Sequence, residues 1–153
     1  MSDAAMFTNA KDALQFIMSG RAIFTIVSKK TGQRFTYKVE RSYKDIRNEL
    51  PDVGFRWVKL LTGNDNETSY SFIGKIAGGV YEHSRKSKIT ESAKGVVALN
   101  WTLKWLAQGD LKMDQLEIWH EGRCGKCARR LTVPASIANG IGPECAKTVY
   151  RCE

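Results

Sequence analysis

Between residues 22 and 76 the chain alternates short apolar runs with polar breaks, the rhythm of paired strands. "AIFTIVS" (22–28) and "RFTYKVE" (34–40) are rich in β-branched and aromatic residues, and "KKTGQ" between them supplies a turn at Gly32. "FRWVKLL" (55–61) and "SYSFIGKI" (69–76) repeat the arrangement around the polar turn "TGNDNET". Upstream, Asn9 caps a short helix with Ala10, Leu14 and Ile17 along one face and Gly20 as its stop. The insert "RSYKDIRNELPDVG" reads as an irregular loop. Gly78-Gly79 open a basic, serine-rich arm, "VYEHSRKSKITES", in which His83 is expected to be solvated. From Ser92 the step changes. Val96, Leu99, Leu103 and Leu106 recur at three- and four-residue intervals, Trp101 and Trp105 widen the stripe, and Gly109 ends it. A short strand, "QLEIWH", then leads into the C-terminal segment.

The expectation is an α+β fold: a small antiparallel sheet of about four strands, an N-terminal helix, a central amphipathic helix, and a C-terminal treble-clef-like zinc module. Three stretches are expected within one compact unit: an α+β sheet region to residue 78, a basic linker and helix over 79–111, and a zinc-binding module over 112–153. Aromatics interleaved with Lys and Arg can stack single-stranded bases, but in strands they are more commonly packing residues.

Charge narrows the partners. Lys and Arg number 24 against 16 Asp and Glu, a net +8 with a pI near 9.4, which points to an anionic partner such as nucleic acid. No run approaches the length of a membrane span, and the N-terminus lacks the pattern of a secretory signal. A cytoplasmic, reducing location follows as an expectation, and there four cysteines in the last 30 residues favour metal over disulfides.

Three of those cysteines fall in "WHEGRCGKCARRLTVPASIANGIGPEC" (119–145). Cys124 and Cys127 form a C-x2-C pair suited to one tetrahedral Zn²⁺, and Gly125 eases the turn between them. Pro143 suits a first helical turn, which would place Cys145 where free amides stabilise a thiolate. Two candidates compete for the fourth position. Cys152 lies seven residues beyond Cys145. On a continuous helix that is roughly 10 Å of rise, against at most about 4.6 Å between two sulfurs on one zinc. His120 has no such obstacle, so the expected set is His120, Cys124, Cys127 and Cys145 around one structural zinc. Arg123, Lys126, Arg129 and Arg130 would offset the site's negative charge or contact phosphate, and Arg85, Lys86 and Lys88 would add phosphate contacts.

This segment resembles the zinc-signature region of a domain-of-unknown-function family common in small phage and prophage proteins. The likeness rests on His120, Gly122, Arg123, Cys124, Cys127, Arg129, Leu131, Thr132, Pro134, Ser136, Ile137, Gly140, Gly142, Pro143 and Cys145. "ALNWTLKWLAQGDL", "FTIVSKKTGQRFTYKV" and "GNDNE" extend it over most of the chain. Ala128 departs from it where glycine is usual, and Ala135 where an acidic residue is frequent. The resemblance implies zinc and a phage or prophage origin in a bacterial host cytoplasm; it implies no activity. The leading expectation is a non-enzymatic, zinc-stabilised nucleic-acid-binding accessory protein, with no small-molecule substrate. The alternative is a protein-binding inhibitor of a host nuclease or defence complex. Asp65 and Glu67 in "GNDNE" would be the candidates for a metal-dependent nuclease, but such residues also serve turn geometry alone.

Overall fold

One antiparallel sheet of six strands organises the computed structural model, which describes residues 6–51, 54–63, 69–128, 131 and 134–141. In chain order the elements are α1 (Ala10–Ile17), β1 (Arg21–Ser28), β2 (Arg34–Glu40), α2 (Tyr43–Arg47), β3 (Phe55–Leu61), β4 (Tyr70–Ala77), β5 (Val80–His83), α3 (Lys94–Ala107), β6 (Leu116–His120) and α4 (Pro134–Asn139). The sheet order is β5-β4-β3-β2-β1-β6. β1–β2 and β3–β4 pair as consecutive antiparallel strands, as the polar breaks after each apolar run imply, and β2 pairs β3 across the segment that holds α2. The other two correct the four-strand expectation.

β5 lies in the stretch read as a flexible arm. Gly78 and Gly79 both take positive φ (59° and 79°), and Ala77 pairs with Val80 across them. Two left-handed residues in succession make a tight hairpin turn, not a linker. The following residues are also ordered by bonds: Ser84 N–H donates to Ile73 O (3.0 Å), and Ser87 Oγ and the His83 ring both reach Ile89 O. His83 is therefore half-buried, with its second ring nitrogen 2.8 Å from the Tyr81 hydroxyl, rather than solvated. The loop after β2 also contains the short helix α2.

β6 joins the C-terminal segment to the main sheet. It pairs with β1 from Phe24↔His120 to Ser28↔Leu116, so the strand before the cysteines belongs to the main sheet. Its free edge is covered by the N-terminal segment, where Met6 bridges Trp119 and Phe7 N–H donates to Ile118 O (2.9 Å). Among the described residues, 121–128 form a turn following a sheet strand; no treble-clef-like module is delimited.

The sheet buries one face. Ala22, Phe24 and Ile26 of β1, Tyr37 and Val39 of β2, Val58 and Leu60 of β3, and Ile73 and Ile76 of β4 form one core with Phe16 and Ile17 of α1 and Leu99 and Leu103 of α3. Asn9 caps α1 through Asp12 N–H (2.8 Å). α3 approaches the sheet at Gly95, whose carbonyl accepts from the Tyr37 hydroxyl (2.7 Å) and where an added Cβ would meet Leu60 at 2.8 Å. Arg56, only 4% exposed, points inward from β3 and donates through Nε to Met18 O (2.9 Å) at the end of α1. α1 has no basic residue in its last turn, so the sheet supplies the cation for its C-terminal carbonyls.

Candidate functional site

The opposite face of the sheet carries its largest exposed aromatic. Inward placement of Arg56, Val58 and Leu60 sends Phe55, Trp57 and Lys59 outward. On β4 the same outcome depends on a bulge. Val58 pairs with Gly74 but Lys59 pairs with Phe72, so Ile73 is the extra residue. Without it, Tyr70 and Phe72 would share the inward parity of Gly74 and Ile76; with it, both turn out. Trp57 is 39% exposed and meets Phe55 edge-on at 4.7 Å and Phe72 at 5.5 Å between ring centroids. A cleft of about 230 Å³ opens beside Trp57 and Phe72, bounded by Arg21, Arg41 and Lys59 and by Ile46 of α2.

Cations interleave with these rings. The Lys75 ammonium lies 5.1 Å from the Phe55 centroid and that of Lys38 lies 4.7 Å from Tyr70. Two acids temper the charge: Glu40 pairs with Lys59 (3.1 Å) and Glu82 with Lys75 (3.4 Å). Both pairs are solvent-exposed and yield readily to a competing phosphate. Arg21 and Lys38 make no ion pair among the described residues. The Tyr70 hydroxyl is pushed up to about 12, first by burial and then by the charge of Glu121, and among the described residues its oxygen has no hydrogen-bond partner. Glu121 is itself raised by loss of solvent, against the pull of Arg123 and Lys38. The open face thus runs from the Trp57 rings to Arg123, where the cysteine turn begins.

That turn is bonded to the start of β1 and to the residue after α4, and it packs against α1. Gly125 N–H donates to Gly140 O (2.9 Å), and Gly125 O accepts from Arg21 N–H (2.6 Å). Gly125 is needed for proximity rather than for its backbone angle, because a Cβ there would lie 2.8 Å from Phe16. Cys124 is buried and Cys127 half-buried, and the two form no disulfide with each other. Lys126 N–H points at Cys124 Sγ (3.4 Å), and Ala128 N–H bonds Cys124 O (2.9 Å). Ala128 adopts φ 65°, the left-handed conformation that suits glycine. The turn therefore keeps its form despite the alanine.

His120 sits differently from expectation. It is 1% exposed, stacked against Phe7 and Phe16, and both ring nitrogens are engaged. Nε2–H donates to Ile137 O (2.5 Å) and Nδ1 accepts from Gly122 N–H (2.9 Å). Burial lowers its pKa despite the Ile137 bond, so the ring is neutral. A metal would have to displace one of those bonds. No group of three His, Cys, Asp or Glu that could hold a metal is assembled among the described residues. Cys145, Cys152, Arg129, Arg130, Asp65 and Glu67 lie outside them.

The two basic groups expected from sequence do not converge. Arg85, Lys86 and Lys88 are exposed beyond β5, while Arg123 and Lys126 follow β6. These strands are the two ends of the sheet, five inter-strand steps or about 24 Å apart along it. Along the strand direction their C-terminal ends are nearly level, His83 aligning through the registers with Ala22 and His120 with Phe24, so the width of the sheet is what separates the two groups.

Residues 117–150 match DUF6011, a family of unknown function. The DUF6011 segment begins within β6, so it takes in His120, the cysteine turn and α4 but not the aromatic face. No curated protein or solved structure matches the chain. Among the described residues no helix is long and apolar enough to cross a membrane. Alternation of side chains could have revealed the open face, but β3 is apolar at both parities and the bulge in β4 has no sequence mark.

Proposed function

We propose that this protein binds single-stranded nucleic acid on the open face of its sheet, as a non-enzymatic accessory protein. The observation that carries the reading is Trp57, exposed beside Phe72 and Phe55 with a cleft at its side and Arg21, Lys38 and Lys59 around it. Bases stack on aromatic rings without regard to sequence, while cations take the phosphates. Arg123 and Lys126 extend the path past Lys38; Arg85, Lys86 and Lys88 lie on the segment after β5 that turns to the core side of the sheet at Ile89, and are outside it.

A structural zinc belongs to the same proposal. Cys124 and Cys127 fit two of its positions: they sit on one turn, they are not joined to each other as a disulfide, and an amide already faces the Cys124 Sγ, which favours thiolate. Cys145 is the third ligand by its place in the motif. The engagement of both His120 nitrogens returns Cys152 to contention for the fourth. In the cobalt-substituted protein, sulfur-to-metal charge-transfer intensity counts the thiolates, three with His120 and four with Cys152. The zinc signature and the family likeness are also what supports a phage or prophage origin.

The test is anisotropy of labelled oligo(dT), oligo(U) and duplex across salt. Both single strands are expected to bind with salt-sensitive affinity, more tightly than duplex. Trp57→Ala should weaken binding by roughly 5- to 150-fold, given about 1–3 kcal/mol per stacked base. Equal affinity in that variant, or a preference for duplex, would overturn the reading.

A further inference from the structure

The helix-bearing side of the molecule has a second concavity, separate from the sheet's open face. A groove of about 920 Å³ lies between the β1–β2 turn, the first half of α3 and residues 114–116. Phe35, Val97 and Trp101 form its apolar surface, and Val97 is 53% exposed, unusual for a valine beside a core helix. Lys29, Lys30 and Lys94 also line it, with Asp114 the only acid among its lining residues. None of the three lysines is ion-paired among the described residues. The start of α3 borders the groove at Lys94, with no side-chain cap and no acidic residue in its first turn, so its dipole adds to the positive charge there.

We infer that this groove binds a small amphiphilic anion, an apolar chain or ring ending in a carboxylate. The apolar surface takes the body, and the lysines that line the groove from the β1–β2 turn and from the start of α3 take the head. Size argues for a small molecule over a docked protein. The volume lies in the usual range for small-ligand pockets, roughly 300–1,000 Å³. A stable protein partner would need about 800 Å² of surface on each side. Charge complementarity argues for the anion: three cations stand against one carboxylate. An uncharged lipid would leave the lysines unused, and a cationic amphiphile would be repelled.

The probe is 1-anilinonaphthalene-8-sulfonate, titrated into the intact protein, with dodecanoate and dodecyltrimethylammonium as competitors below their micelle concentrations. One saturable site per chain is expected, displaced by dodecanoate and not by the quaternary amine of equal chain length. Val97→Glu and Lys94→Glu each alter an exposed position, so circular dichroism should be unchanged while dye affinity falls at least tenfold. Trp57→Ala should leave dye binding intact and Val97→Glu should leave oligo(dT) binding intact, which separates this site from the proposed nucleic-acid face. No saturable binding in the micromolar range, several dyes per chain, equal displacement by both amphiphiles, or unchanged affinity in Val97→Glu would each overturn the inference.

Discussion

Ala128 holds a backbone angle that costs an L-residue about 1–2 kcal/mol relative to glycine. Ala128→Gly should therefore raise stability, by up to about 1 kcal/mol once the extra freedom of the unfolded glycine is subtracted; urea unfolding measures it. Gly125→Ala should act in the opposite sense. Its Cβ would press on Phe16 at 2.8 Å, and overpacking of that kind costs about 1–3 kcal/mol. Tyr70 offers a test through pH. Its folded pKa, about 12, lies above the ordinary 10, so folding favours the neutral phenol. The stability it contributes is complete below pH 10 and is lost as pH rises through 12. Tyr70→Phe should flatten that alkaline loss in thermal melts. It should also be neutral or stabilising at pH 7, since it removes a buried hydroxyl with no partner among the described residues.

At the scale of elements, capping and periodicity make most of the framework legible. Asn9 marks the start of α1, and the stripe from Val96 to Leu106 marks α3. β1 to β4 fall within a residue of the apolar runs that announce them. β5 escapes a sequence reading because Gly78-Gly79 reads equally as the start of a linker, and only the pairing of Ala77 with Val80 distinguishes a hairpin. Gly74 makes that hairpin testable. A Cβ there would stand 2.9 Å from the Tyr81 hydroxyl and against the Glu82 carbonyl. Gly74→Val should detach β5, seen as fast amide exchange in 80–83 with protection retained in β1 and β2.

Across the whole molecule, separation of the two basic groups decides which charges can serve one ligand. Exchanging Lys38 and Arg123 for glutamine should reduce the slope of log K against log salt for oligo(dT) by about 0.7 for each phosphate left without its cation. Neutralising Arg85, Lys86 and Lys88 together should leave the slope unchanged. A slope that responds only to the second set would move the binding surface to the β5 edge.

The amino-acid order by itself determined the antiparallel character of the first four strands, the two principal helices and the C-x2-C turn. Each is set by interactions within a few residues: alternation, capping, or two thiols flanking a glycine. The pairing of β6 with β1 joins residues some ninety positions apart, so no local pattern encodes it. The same holds for the engagement of His120 between Gly122 and Ile137, and for the outward turn of Trp57. β3 is apolar on both parities, and its orientation is settled by Arg56 reaching the end of α1. Only the packed chain brings those two groups together, and that contact is what leaves the aromatic face open.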